Sequence, residues 1–256
     1  SAYNFEINFL GFPPPPSDGS SGGDDKYDIY IRNLSGVYGQ TWYENSVGST
    51  NWTSYIEMDN DFGTGFYTHG IEAACVTVAH EFHHSIQLGS YAQFNNNSNP
   101  IRTSDLFFYE LTSTAFEEFV FDNVNDYYAY MPTYFNNPAQ SFSQYAGYDL
   151  AIWNIFLQIN FGFDIIKRQW EQMPNRYALE SIALSLRDSS TLGNELNKFG
   201  IWTYFTNSRA ITGRYFEEAN NYPLITPTPT TGVSFIPPSD TYNMSIAPVA
   251  NYFLKV

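Results

Sequence analysis

Two kinds of hydrophobic spacing divide the chain. Residues 3–10, Tyr3-Asn4-Phe5-Glu6-Ile7-Asn8-Phe9-Leu10, put an apolar side chain at every second position, the spacing of a strand with two unlike faces. The same alternation returns at 27–32, from Tyr27 to Arg32, and at 54–58, from Ser54 to Met58. Pro13 to Pro16 and the Ser-, Gly- and Asp-rich run from Ser17 to Asp25 predict a loop between the first two. Near Gly70 the character changes. Ile71 to Leu88 is an apolar-rich helical stretch, with Gly89 as its expected end. A second helix is expected over 105–122, anchored by Leu106, Tyr109, Ala115, Phe116 and Phe119, and further helices over 146–160, 163–173, 176–187 and 191–207. After Tyr222 the chain turns Pro- and Thr-rich through Thr231, and Met244 to Val256 reads as a strand again.

Strands at about 3–60, a helix at about 71–88 and a helical part at about 105–220 predict an α+β fold with a β-rich N-terminal part. Residues 1–222 are expected to form one domain, and 223–256 a Pro/Thr-rich linker with a C-terminal β tail. A lone strand needs a sheet edge, so the tail is expected to pair within this chain or with a neighbouring copy, the latter giving self-association.

Composition narrows the function classes. The 256 residues can bury a full core, and 19% aromatic against 14% charged residues excludes disorder as the dominant state. No apolar run is long enough to span a bilayer, so no membrane span is expected. No cationic, apolar leader opens the chain, so any secretion signal is expected to have been removed. Acidic residues outnumber basic ones 26 to 11, for a net charge of −15. Such a surface repels phosphate, which makes nucleic acid and anionic membranes poor partners. The single Cys75 excludes an intramolecular disulfide and any multi-cysteine metal site. An aromatic-rich, lysine-poor chain without disulfides is expected of a secreted or cell-surface bacterial protein. Sequons at Asn33, Asn51, Asn96 and Asn243 matter only in a glycosylating host.

The four histidines are His69, His80, His83 and His84. His80-Glu81-Phe82-His83-His84 contains His-Glu-x-x-His. On a helix, positions i and i+4 lie one above the other, so His80 and His84 can grip one metal ion from one side. Glu81 stands about 100° round the helix and can reach a water on that metal as general base. Neutral imidazole suits zinc, which brings the pKa of a bound water to about 7. His80 and His83 are an alternative helical pair, but the pair flanking the glutamate is the better-attested site, which leaves His83 to packing or to supporting a ligand. The metzincin pattern would need Gly at 87 and His at 90, where Gln87 and Ser90 stand. The third ligand is therefore expected to be a carboxylate or another non-histidine group. Glu110, among Leu106, Phe107, Phe108 and Leu111, is the best candidate, because a carboxylate in apolar surroundings wants a cation. For Glu117 and Glu118 a solvated helix face is the alternative reading.

His80-Glu81-x-x-His84 followed by Glu110-x-Thr-x-x-x-x-Glu117 resembles the gluzincin metallopeptidases, whose aminopeptidase branch has Asn-Glu-Gly-x-Ala-x-x-x-Glu in its second helix. It is closer still to a group of secreted bacterial proteins classed as metalloproteases. Their pattern is His-Glu-x-x-His-x-x-Gln, then Glu-Ala-Thr-Ala-Thr-Trp-x-Glu-Asp/Glu, then Val-Asn-Asp-Tyr. Here the matching runs are His84-Ser85-Ile86-Gln87, Glu110 to Glu118 and Val124-Asn125-Asp126-Tyr127. Tyr145-Ala146-Gly147-Tyr148, Trp153 and Gly162-x-Asp164-Ile165-Ile166 match that group's next helices. The resemblance covers roughly residues 27–220. His83 stands where that group has an aromatic residue, and Leu111 where it has a small one. The resemblance implies a zincin-like fold, Zn2+ held by His80, His84 and Glu110, Glu81 as the base, and Glu117 orienting a ligand histidine.

A zinc peptidase also needs a donor to the developing oxyanion. Tyr145 and Tyr148, just ahead of the next helix, are the candidates, with aromatic packing as the other reading of each. Ca2+ binding at Glu57-Met58-Asp59-Asn60-Asp61 or in the Ser17–Asp25 loop lacks the EF-hand spacing, and a solvated loop is the expected state of both. The expected function is zinc-dependent hydrolysis of a peptide or protein substrate. The rivals are a non-catalytic extracellular structural or assembly protein on a zincin scaffold, and a zinc hydrolase acting on another bond.

Overall fold

The computed structural model describes residues 1–93, 99–229 and 245–255. Its first sheet has three strands, β1 (Ile29–Ile31), β2 (Gly39–Ser46) and β3 (Trp52–Met58), in the order β1-β3-β2. β1 runs parallel to β3, with Ile29 opposite Ile56, and β2 runs antiparallel to it, with Thr41 opposite Ile56. Among the described residues β2 has β3 as its one neighbour, so its other side is a free edge. β3 is the buried centre, with Ile56 fully covered. Glu57, on the opposite face of β3, accepts from Gln40 at 2.7 Å and Trp42 at 3.2 Å and pairs with Arg32 at 2.9 Å.

The helices come next: α1 (Gly70–Tyr91), α2 (Leu106–Val120), α3 (Met131–Asn136), α4 (Ala151–Phe161), α5 (Asp164–Gln172), α6 (Ala178–Leu186) and α7 (Leu192–Tyr204). α1 lies on β2 and β3 and packs against α2, which packs in turn against α4. The molecule is thus α+β, as the spacing predicts. The shared core is aromatic: Trp170 stacks on Phe108 at 5.0 Å and meets Tyr109 edge-on at 4.9 Å. Such pairs add to the burial of area itself. No described helix is long and apolar enough to cross a membrane.

Four expectations from the sequence are corrected. Residues 3–10 are not a strand. Asn4–Phe9 form a wide helical turn, with the Leu10 amide donating to the Phe5 carbonyl. The helical turn brings Phe5 and Phe9 together at 5.6 Å, sets both against Phe163, and points Glu6 inward. Second, α1 does not end at Gly89 but continues to Tyr91. Gly89 has a packing role instead, since a Cβ there would sit 2.7 Å from Pro16 Cδ and 3.1 Å from Pro15 Cα. Third, β2 and α3 were not expected at all. Fourth, the tail is mostly not strand. Thr228–Pro229 (β4) and Leu254–Lys255 (β5) pair in parallel within this chain, while residues 245–253 are not extended ladder; Met244, Val256, Asn96 and Asn243 lie outside the described residues.

Gly147 braces α2 from outside this framework. It has a φ of 117°, and a Cβ there would stand 2.2 Å from the Phe107 carbonyl oxygen and 2.7 Å from Glu110 Cβ. A backbone turn therefore presses directly on α2. Gly147→Ala is expected to destabilise the fold by about 2 kcal/mol or more, combining overpacking with a strained backbone. A lowered midpoint of thermal or urea unfolding checks this; an unchanged midpoint counts against the contact.

Candidate metal centre

α1 and α2 run antiparallel, because rising positions on α1 meet falling positions on α2: His80 contacts Glu117, His84 contacts Ser113, and Gln87 contacts Tyr109. Between them three polar atoms converge. His80 Nε2 and His84 Nε2 are 3.1 Å apart, and Glu110 Oε2 lies 3.2 Å from the first and 3.3 Å from the second.

The outer partners set the tautomers. Glu117 Oε1 stands 2.7 Å from His80 Nδ1, and a carboxylate only accepts, so that nitrogen carries the proton. His84 Nδ1 lies 2.7 Å from Gln87 Oε1, whose amide is fixed because its nitrogen donates to the Tyr109 carbonyl and to Ser113 Oγ. His84 is therefore also protonated on Nδ1, and in the neutral rings both Nε2 atoms present lone pairs. Two imidazole lone pairs and a carboxylate oxygen then face one another with no donor among them. A shared positive charge, either a proton on an imidazole or a metal ion, reconciles that arrangement. The geometry fits a metal: ligands 2.0–2.1 Å from a tetrahedral ion are separated by about 3.3 Å. His80, His84 and Glu110 can hold a metal ion, and they form the one such group among the described residues.

Proton affinities report the same pull. Burial works against a proton on His80, yet its hydrogen bonds with Glu110 and Glu117 outweigh this and hold its pKa well above the usual histidine value. His84 is raised on the same balance of burial against Glu110. Burial would raise Glu110, but His84 and His80 hold it far below the usual carboxylate range. Glu117, more deeply buried, is pushed up to about 7 by that burial despite its bond to His80.

Glu81 lies in the same cluster but is turned toward the sheet. Its Oε2 accepts from Thr41 Oγ1 at 2.7 Å, and the same hydroxyl lies 2.9 Å from the Glu81 carbonyl. A β2 side chain thus sets the carboxylate beside the triangle. Two cavities, of about 240 and 200 Å³, flank this point and share Gly39, His80, Glu81 and Tyr148 as walls. One continues past Val76, Glu117 and Tyr130, and the other past His84, Leu88, Leu106 and Glu110. Together they make a cleft along the free edge of β2.

The two tyrosine candidates part company. Tyr148 stacks on His80 at 5.7 Å, nearly parallel, and lines both cavities. Burial and the adjacent Glu110 carboxylate raise its pKa strongly, so it remains a hydroxyl donor. Tyr145 is buried, packs on Tyr134 and gives its hydroxyl to the Asn137 carbonyl, lining neither cavity. It serves the core. His83 points away from the triangle: its Nδ1 meets Glu6 Oε2 at 2.7 Å, and its ring stacks on Phe116 at 3.9 Å. The acidic segments considered for calcium have other work. Asp59 accepts backbone N–H groups of Leu34, Asp61 and Phe62, and Asp24 pairs with Lys26.

Thr41 and Ser113 support the site without having been assigned a role from the sequence, and Gln87, noted there only as part of the His-Glu-x-x-His-x-x-Gln run, supports it too. Gln87 stands at i+3 from His84 and Ser113 at i+3 from Glu110, a helical signal available once the ligands are named. Thr41 has no local signal. The chain matches no protein-family model and no curated protein.

Glu117→Gln, which acts through His80, is expected to weaken metal affinity by about 10–100-fold, and Glu110→Gln, which removes a direct ligand's charge, should weaken it more. Metal analysis of the purified variants decides this. Glu110→Gln loaded like the parent would remove Glu110 from the ligand set.

Proposed function

We propose that the protein is a zinc-dependent peptidase of gluzincin type that works outside the cell. The observation that carries the reading is the placement of a carboxylate that is not a ligand, Glu81, beside a three-ligand triangle at the wall shared by two cavities. A closed structural site would use a fourth protein ligand; three ligands are the catalytic pattern for zinc. The nitrogen-rich donor set and tetrahedral spacing favour zinc over hard oxygen-seeking ions.

Bound zinc would supply Lewis acidity, polarising a carbonyl and making water acidic near neutral pH. The chain's own residues supply the rest. Glu81, steadied by Thr41, takes the proton from the attacking water and delivers it to the departing amine. Tyr148, a hydroxyl at this pH and already against His80, donates to the carbonyl oxygen as it gains charge. Glu117 and Gln87 keep both imidazoles in the tautomer that binds metal. A peptide substrate is supported by the free edge of β2, whose Gly39, Gln40 and Thr41 line the cleft. Unpaired strand backbone there can hydrogen-bond an extended chain. Cavities on both sides of Glu81 leave room for residues on either side of the scissile bond, which favours internal cleavage.

Glu81→Gln keeps size and hydrogen-bonding shape but removes the base. It is expected to stay folded and metal-loaded while peptide hydrolysis falls at least about a hundredfold. Tyr148→Phe should lower kcat by about a hundredfold with KM little changed. Hydrolysis of a broad peptide and casein panel by parent and variants is the measurement. Zinc-loaded parent that cleaves nothing would favour a non-catalytic scaffold, and full activity in Glu81→Gln would remove this mechanism.

A further inference from the structure

The cavity on the Val76 side of Glu81, of about 240 Å³, holds more acceptors than hydrolysis uses. Glu81, Glu117 and Asp126 lie in its wall, and no Lys or Arg does. Glu81 is the base candidate and Glu117 steadies His80, but Asp126 has no part in either task. It is 3% exposed and opens the short helical turn Asp126–Ala129 that follows α2. Its Oδ1 accepts from Tyr38 Oη at 2.9 Å, and Tyr38 Oη accepts in turn from the Thr68 N–H at 2.9 Å, which fixes the carboxylate in the wall. Two further polar atoms of this wall are left over. Thr77 is 4% exposed and Glu117 5%, yet Thr77 Oγ1 and Glu117 Oε2 have no hydrogen-bond partner among the described residues. A carboxylate oxygen accepts and a hydroxyl can, so the group missing from the cavity is a donor. The rest of the wall is largely aromatic. Tyr130 packs on Tyr148 at 5.2 Å, and burial, then the charges of Asp126 and Glu117, raise its pKa and keep it uncharged.

We propose, resting on the peptidase reading above, that this cavity receives a basic side chain of the substrate, arginine ahead of lysine, with Asp126 as the specificity-determining residue. A guanidinium is all donors and no acceptor, so one group can serve several acceptors of the same wall. Its flat face also lies well against tyrosine rings, which the compact ammonium of lysine does less well. An apolar side chain would leave the buried acceptors unpaired, and an acidic one would be repelled. The net charge of −15 draws cationic chains toward the molecule in the first place. The cavity on the other side of Glu81 has Leu88, Ile101 and Leu106 in its wall and no counterpart of Asp126. The preference is therefore expected on one side of the cleaved bond only.

The test uses the whole, zinc-loaded chain. Casein is digested and the cut sites are mapped by mass spectrometry, with cuts expected to cluster beside arginine and lysine, on one side. Peptides copied from a mapped site, blocked at both ends to remove terminal charges, then carry arginine, lysine, citrulline or glutamate at that position. Citrulline keeps the shape of arginine without its charge. The parent's kcat/KM is expected to be at least about tenfold higher for arginine than for citrulline, with glutamate lowest. Asp126→Asn should remove most of that ratio, through KM more than kcat. Val37→Lys puts a cation on the exposed rim of the cavity and should narrow the same ratio; its surface position spares the fold and keeps the test open if Asp126→Asn folds poorly. A parent that cleaves casein without clustering at basic residues, or treats arginine and citrulline alike, overturns the subsite and leaves the peptidase reading standing. So does a ratio unchanged in both variants. A zinc-loaded parent that cleaves no casein overturns the peptidase reading, and the subsite with it.

Discussion

Two imidazole nitrogens and a carboxylate oxygen converge within 3.3 Å of one another around a point that wants positive charge, and the contact between α1 and α2 is built around that convergence. Every acceptor that fixes the tautomers comes from the same two helices: Glu117 on α2 locks His80, while Gln87 on α1 and Ser113 on α2 lock His84. The spacing of the helices and the capacity for a metal are therefore one property. Gly147 reaches both, because its backbone lies against Phe107 and Glu110 with no room for a side chain.

The sheet contributes orientation rather than ligands. β2 brings Thr41 against Glu81 and leaves its outer edge along the cleft. The base candidate is thus held from a different layer than the ligand triangle. A change in sheet packing could displace the carboxylate while leaving the three ligands in place, and a change between the helices would do the reverse. That separation lets metal content and hydrolysis be examined as distinct properties of one site.

The long helices were legible because their apolar spacing runs through several turns, and with them came His80, Glu81 and His84. Glu110 and Glu117 sit seven positions apart, two turns of one helix, so once α2 is drawn they fall on one face. β2 was illegible because its side chains are half-exposed and polar on both sides, as an edge strand permits. The 3–10 segment misled for another reason. Its alternation suits a strand, but the partner that decides its conformation, His83, lies 77 positions away. Tyr145 and Tyr148 looked equivalent, and only the turn at Gly147 sends one into the core and the other to the cleft.

The Glu6–His83 contact has a meaning for local opening. It seals the rear of α1, yet Glu6 Oε1 and His83 Nε2 lack partners among the described residues. Burial drives the acid's pKa up and the imidazole's down, so the pair is held as a shared proton in a dry pocket beside Phe12 and Phe116. The loop it closes is about twice as long as that of His80–Glu117, a difference of only about 0.6 kcal/mol in closure entropy. Desolvation outweighs chain length here. When the first turn lifts away, two starved polar atoms regain water, which offsets part of the apolar surface laid bare. Exposing the rear of the helix therefore costs less than its apolar area alone implies, whereas its front, where the histidines converge, has no such offset.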